Sequence, residues 1–196
     1  MRVLTKNRLL TAIGGILLAV PGLAGCNRDR GAEAATQEAA QENRPLSATP
    51  AEQDFMRKTA ETNLSDIDMA RLALQKSHNS DVRDFANMIQ SDITAALEDL
   101  SNLMKDKGVS QPNTASADAR QDAGRMAGLM GPEFDREFIN MMVADQQKTV
   151  EMFRDQIGIA MDADVKRYAE NLLPKLEMHL EKAQRLQSKL FRRPIS

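Results

Sequence analysis

Few side chains in this sequence can do chemistry, and they are far apart along the chain. Two histidines (His78 and His179), one cysteine (Cys26) and twelve methionines stand among 28 acidic and 26 basic residues in a chain of 196. A single thiol excludes a disulfide framework and a thiolate zinc centre. No Gly-x-Ser-x-Gly elbow and no Gly-rich phosphate loop occurs, and no histidine accompanies the cysteine in a catalytic pattern, so no enzyme activity is expected. Carboxylate–imidazole ligation on a helix uses Glu-x-x-His, yet Leu176 and Gln75 stand three residues before His179 and His78. Asp66 and His179, with Asp92 and Gln146 nearby, make at most a two-ligand site for a divalent transition metal, because glutamine is a poor ligand for such ions. Methionine thioethers favour Cu(I), and Met141-Met142 and the pair Met126 and Met130 are the best candidates. Met88, Met104 and Met142, however, fall at packing positions, where methionine fills gaps. Near-balanced charge and only seven aromatic residues exclude an ordinary nucleic-acid face.

Helices must position these groups. Thr49-Pro50-Ala51-Glu52 reads as a capping box with proline at the first helical position, and a first helix is expected to about Ser77. His78 would follow it, where an imidazole suits the last carbonyls. A second helix, capped by Ser80, is expected to Lys107 before Gly108, a residue tolerant of positive φ. Gly131-Pro132 opens a third helix to about Ala160, and Asp162 caps a fourth to about Leu190, with Pro174 expected to kink it. A short helix from Ala117 to Met130 is expected between the second and third. Apolar stripes at helical spacing support all four long helices: Val82, Phe85, Ile89, Ile93, Leu100 on the second and Val165, Ala169, Leu172, Leu176, His179, Ala183 on the fourth are examples. Short connections within each pair predict two antiparallel hairpins. The long segment between them predicts a crossover. The expected class is all-α, a ferritin-like four-helix bundle over 49–191, with 192–196 a tail. Asp66, Ile93, Gln146 and His179 should share its central layer, and His179 should be satisfied by Asp66, Gln146 or water.

The N-terminal segment carries an address. Arg2, Lys6 and Arg8 precede an apolar run from Leu9 to Ala24, the anatomy of a secretory signal over 1–25. At about 16 residues and broken by Gly14, Gly15, Pro21 and Gly22, the run is short of the about 20 residues a spanning helix wants. Leu23-Ala24-Gly25-Cys26 resembles the lipobox of bacterial lipoproteins. That resemblance implies acylation of Cys26, anchoring in the lipid bilayer and, with Asn27 following, sorting to the periplasmic side of the outer membrane. Removing 1–25 would leave a net charge of −5. Residues 26–48, poor in large apolar side chains, read as a tether.

Two stretches carry a family resemblance. Asp66-Ile67-Asp68-Met69-Ala70-Arg71-Leu72-Ala73 is followed by Val82-Arg83-Asp84-Phe85-Ala86-Asn87-Met88-Ile89. Phe134-Asp135-Arg136-Glu137-Phe138-Ile139 and Met142-Val143 precede Leu173-Pro174-Lys175-Leu176-Glu177-Met178-His179-Leu180. From about Asp54 to Leu190 the chain resembles the bacterial domain of unknown function family 4142, a ferritin-like family of exported and often lipidated proteins. The resemblance implies a fold but no established reaction. It also implies an acid near position 66, Asp-His in the second helix, and a histidine in each of the third and fourth. This chain has Asp66, Asp92-Ile93, Gln146 and His179 there. The expectation is therefore an interaction or envelope-structural protein without cofactor or metal, with a protein partner or self-association as further options. The alternative is a degenerate metal-binding protein using Asp66 and His179.

Overall fold

A computed structural model describes residues 48–192. Residues 1–25, Cys26, the tether up to residue 47 and the tail beyond Arg192 lie outside the described residues. Four long helices and one short one follow in order: α1 (Pro50–Lys76), α2 (Ser80–Asp106), α3 (Ala117–Ala127), α4 (Gly131–Ile159) and α5 (Ala163–Phe191). No strand occurs among the described residues.

Local chemistry explains the boundaries. Thr49 Oγ1 accepts from the Glu52 amide, and the Glu52 carboxylate accepts from the Thr49 amide at 2.7 Å, closing the expected capping box. Asp162 Oδ1 accepts from the Asp164 and Val165 amides and starts α5. Gly108 takes a φ of +67°, so α2 ends on a residue without a Cβ penalty. α5 continues through Pro174 as one 29-residue helix.

Contacts at the helix ends establish the topology. Glu52, at the start of α1, meets the α4–α5 turn, and Phe55 packs on Phe153 near the end of α4 at 5.1 Å between ring centroids. Phe85, early in α2, packs on Phe138, early in α4, at 6.2 Å. Lys107, just past α2, binds Asp164 at the start of α5, and Lys189, near the end of α5, binds Asp81 at the start of α2. α1–α2 and α4–α5 are therefore antiparallel hairpins, and α2 and α4 begin at the same end. The segment carrying α3 returns the chain along the bundle. This is the ferritin-like arrangement, and its interior is filled by Met56, Ile89, Ile93, Leu100, Met104, Phe134, Phe138, Ile139, Met142, Phe153 and Leu176.

Several local expectations are corrected. The cap of α2 is Asn79, whose Oδ1 accepts from the Asp81 and Val82 amides, and Ser80 is the first helical residue. α3 stops at Ala127 rather than Met130. Ala48, placed in the tether, is buried, and its carbonyl accepts from Gln53. His78 is exposed, and it is Arg83 that donates to the Leu74 and Ser77 carbonyls at the end of α1. The side chain of Lys107, at the end of α2, is 8% exposed and lies between Asp162 at 2.7 Å and Asp164 at 2.8 Å.

Candidate functional site

The central layer divides into two polar pairs on opposite sides of the bundle. On one side α1 supplies Asp66 and α4 supplies Gln146, whose Nε2 donates to Asp66 Oδ2 at 3.0 Å. On the other, α5 supplies His179, whose Nε2 lies 2.9 Å from Asp92 Oδ2 on α2. Lys175, one turn before His179, holds the other oxygen of Asp92 at 3.2 Å. Ile93 closes the layer by packing. Among the described residues the partner of His179 is thus Asp92 rather than Asp66 or Gln146.

The environment sets the protonation states. Burial pushes the His179 imidazole below its usual range, although Asp92's hydrogen bond and charge act in the opposite sense. In the neutral ring the proton sits on Nε2, because the Asp92 carboxylate can only accept. Nδ1 is then an acceptor, buried and without a partner among the described residues, and so is Gln146 Oε1. Burial opposes ionisation of Asp92, but hydrogen bonds from His179 and Lys175 and the Lys175 charge hold it below the usual carboxylate range. Asp66 behaves differently. Burial first, then the charge of Asp145, push it up to about 7 against the Gln146 hydrogen bond.

Asp66 also forms part of a cleft of about 370 Å³ between α1, α3 and α4. Asp145 on α4 and Asp122 on α3 join it there, and Met69, Met141 and Met152 supply apolar wall. Asp145 too is raised, by burial and by Asp122, against the opposing charge of Lys148. Asp66 has no cation within ion-pair distance among the described residues. Asp145 has Lys148 at 3.8 Å, with that side chain 77% exposed. Sequence reasoning placed Asp66 inward but did not find the cleft, Asp145 or Asp122.

A ferritin-like di-iron centre does not fit. No group of three or more His, Cys, Asp or Glu side chains among the described residues converges on one point. The pair Met126 and Met130 divides as well: Met126, on α3, is buried, and Met130 is 74% exposed.

The profile of the domain of unknown function DUF4142 matches residues 34–186. The chain belongs to the DUF4142 family. No curated protein matches it. Solved structures similar to this DUF4142 chain include a DUF305 fragment from Deinococcus radiodurans, with 19% identity, a TM-score of 0.65, and coverage of 72% of this chain and 98% of that one. CopM in its Cu(I)-bound form is similar at 19% identity and a TM-score of 0.61, over 72% of this chain and 98% of CopM. A DUF305 protein of Streptomyces coelicolor, provisionally described as secreted, shares 12% identity at a TM-score of 0.61, over 69% and 89% of the two chains. At these identities the likeness shows that DUF4142 shares an all-helical fold with DUF305 proteins.

Proposed function

We propose that this DUF4142 protein is a non-catalytic binding module of the bacterial envelope, tethered through acylated Cys26 to the periplasmic side of the outer membrane. Its binding face is the cleft between α1, α3 and α4. The observation that carries this reading is Asp66, a carboxylate 4% exposed and with no cation within ion-pair distance among the described residues, opening on a cleft large enough for a small ligand. An isolated buried carboxylate is costly, and a ligand that pairs with it recovers that cost. The Leu23-Ala24-Gly25-Cys26 tetrad and the secreted description of a structural neighbour support the address. Acyl chains contribute about 0.8 kcal/mol per buried CH₂, so several on one residue hold the protein stably. Cys26→Ser is expected to abolish labelling by a fatty-acid analogue and to move the protein from the membrane to the soluble fraction. Membrane retention without detectable lipid would contradict the anchor.

A second reading, a single-metal site of mixed donors around Asp66 and His179, is favoured by the two unpartnered acceptors His179 Nδ1 and Gln146 Oε1. The Cu(I) bound by CopM gives it a precedent in this fold. The binding-module reading predicts that the purified chain carries no stoichiometric iron, zinc, copper or manganese by mass spectrometry. About one ion per chain, lost in His179→Ala and Asp66→Ala, would establish the second reading instead.

A further inference from the structure

We infer that the cleft between α1, α3 and α4 takes an elongated aliphatic ammonium ion, with its charge at Asp66 and Asp145 and its carbon chain along Met69 and Met141. This rests on the reading of the cleft as the binding face and names the chemistry of its occupant.

The spread of the lining residues argues against a metal ion here. Met141 and Met152 stand eleven residues apart on α4, or about 16 Å at the helical rise of about 1.5 Å per residue. A bound ion gathers its donors within about 2–2.6 Å of one centre, so the sulfurs at the two ends cannot share it. An alkyl chain anchored at Asp145, by contrast, can lie along α4 toward Met141, four residues or about 6 Å away, and against Met69 on α1.

Charge placement supplies the head group. Asp66 is more than nine-tenths buried, is part of the cleft wall and receives one hydrogen bond, from the Gln146 amide. That bond leaves its charge without a counterion. Asp145 stands beside it on α4, and α3 brings Asp122 to the rim. The two lysines of the cleft do not neutralise this group: Lys58 is exposed, and Lys148 reaches only Asp145, at the far limit of an ion pair. An ammonium group entering here donates to the buried Asp66 carboxylate and to the half-exposed Asp145, and exchanges part of its hydration for partners of opposite charge. A neutral alcohol of the same length gains the apolar contacts alone.

The test is isothermal titration of the full chain with pentane-1,5-diamine, 1-hexanol and Cu(I) in parallel, at about pH 8. Saturable binding of the diamine is expected, with 1-hexanol silent at the same concentrations. Asp66→Asn keeps the side-chain volume and should weaken diamine binding at least tenfold, and Asp145→Asn should weaken it less. Asp84→Asn, on the outer face of α2, should leave it unchanged. Equal binding of 1-hexanol, or undiminished diamine binding by a folded Asp66→Asn chain, overturns the inference. Capture of Cu(I) without the diamine overturns it and favours the mixed-donor metal reading instead. Silence toward all three probes overturns both the inference and the reading of the cleft as the binding face.

Discussion

Asp66 illustrates how one side chain can stabilise or destabilise the same fold. Its pKa is about 7 in the bundle, above the ordinary 3.8. The folded state therefore binds more protons than the unfolded chain between those values, and this group's contribution to stability falls as pH rises from about 4 to about 7. The full excursion is worth up to about 4 kcal/mol, at about 1.4 kcal/mol per pH unit. Asp66→Asn is expected to raise the melting temperature at pH 8 and to change it little at pH 4. Scans at the two pH values check this, and an equal shift at both would assign the effect to packing instead. At this scale the sequence was partly legible. Asp66, Gln146 and His179 lie on apolar stripes, so their burial follows from spacing. Asp92 does not sit on the stripe but on its flank, three residues after Ile89 and four before Ala96, and a stripe-only reading passes over it. Asp145 flanks Met142 and Thr149 on α4 in the same way. Polar residues on the flank of a stripe are where neighbouring helices meet, and these two meet His179 and the cleft.

Helix boundaries were mostly legible, because caps are local chemistry. Thr49 with Glu52, Asp162 and Gly108 each do what their types dictate. The start of α2 is the exception: Asn79 and Ser80 are both good cap residues side by side, and propensity does not choose between them. The structure does, through the Asn79 Oδ1 bonds to the next two free amides. Asn79→Ala should cost about 1 kcal/mol of stability and Ser80→Ala only a few tenths, measured by denaturant unfolding. The reverse order would return the cap to Ser80. The path of α3 was not legible at all. Its length is a local property, but which face of the bundle the crossover follows depends on what α1 and α4 leave uncovered. The cleft exists because of that path.

For the molecule as a whole, Glu52 joins parts of the chain that capping rules treat separately. Its Oε2 closes the box at Thr49, while Oε1 accepts from the Met161 and Asp162 amides at 2.8 Å each. One carboxylate thus secures the start of α1 to the α4–α5 turn, and the first hairpin to the second. Burial opposes its ionisation, but the backbone donors of Asp162, Thr49 and Met161 and the Thr49 hydroxyl hold its pKa below 4.5. A lowered carboxylate adds stability above its unfolded pKa and loses it as pH falls through the folded one. Glu52→Gln keeps the shape but sets an amide against amide donors. It should cost about 2 kcal/mol at pH 7, in the range for hydrogen bonds to charged groups, and progressively less below about pH 4. Thermal unfolding of both chains across that range is the check, and a cost that persists unchanged at low pH would mean the charge is not what matters.

The chain enters the bundle at the end where Glu52 meets Met161, and α5 finishes at the other, where Lys189 meets Asp81. These two ends are separated by the length of a 29-residue helix, about 43 Å at about 1.5 Å per residue. A load applied between them runs parallel to the helices. Under such a pull, the interhelical contacts must slide past one another together, whereas a load applied across one end would separate them a turn at a time. A bundle held at its N-terminal side and pulled from its far end is therefore loaded in shear, the direction in which packed helices resist most.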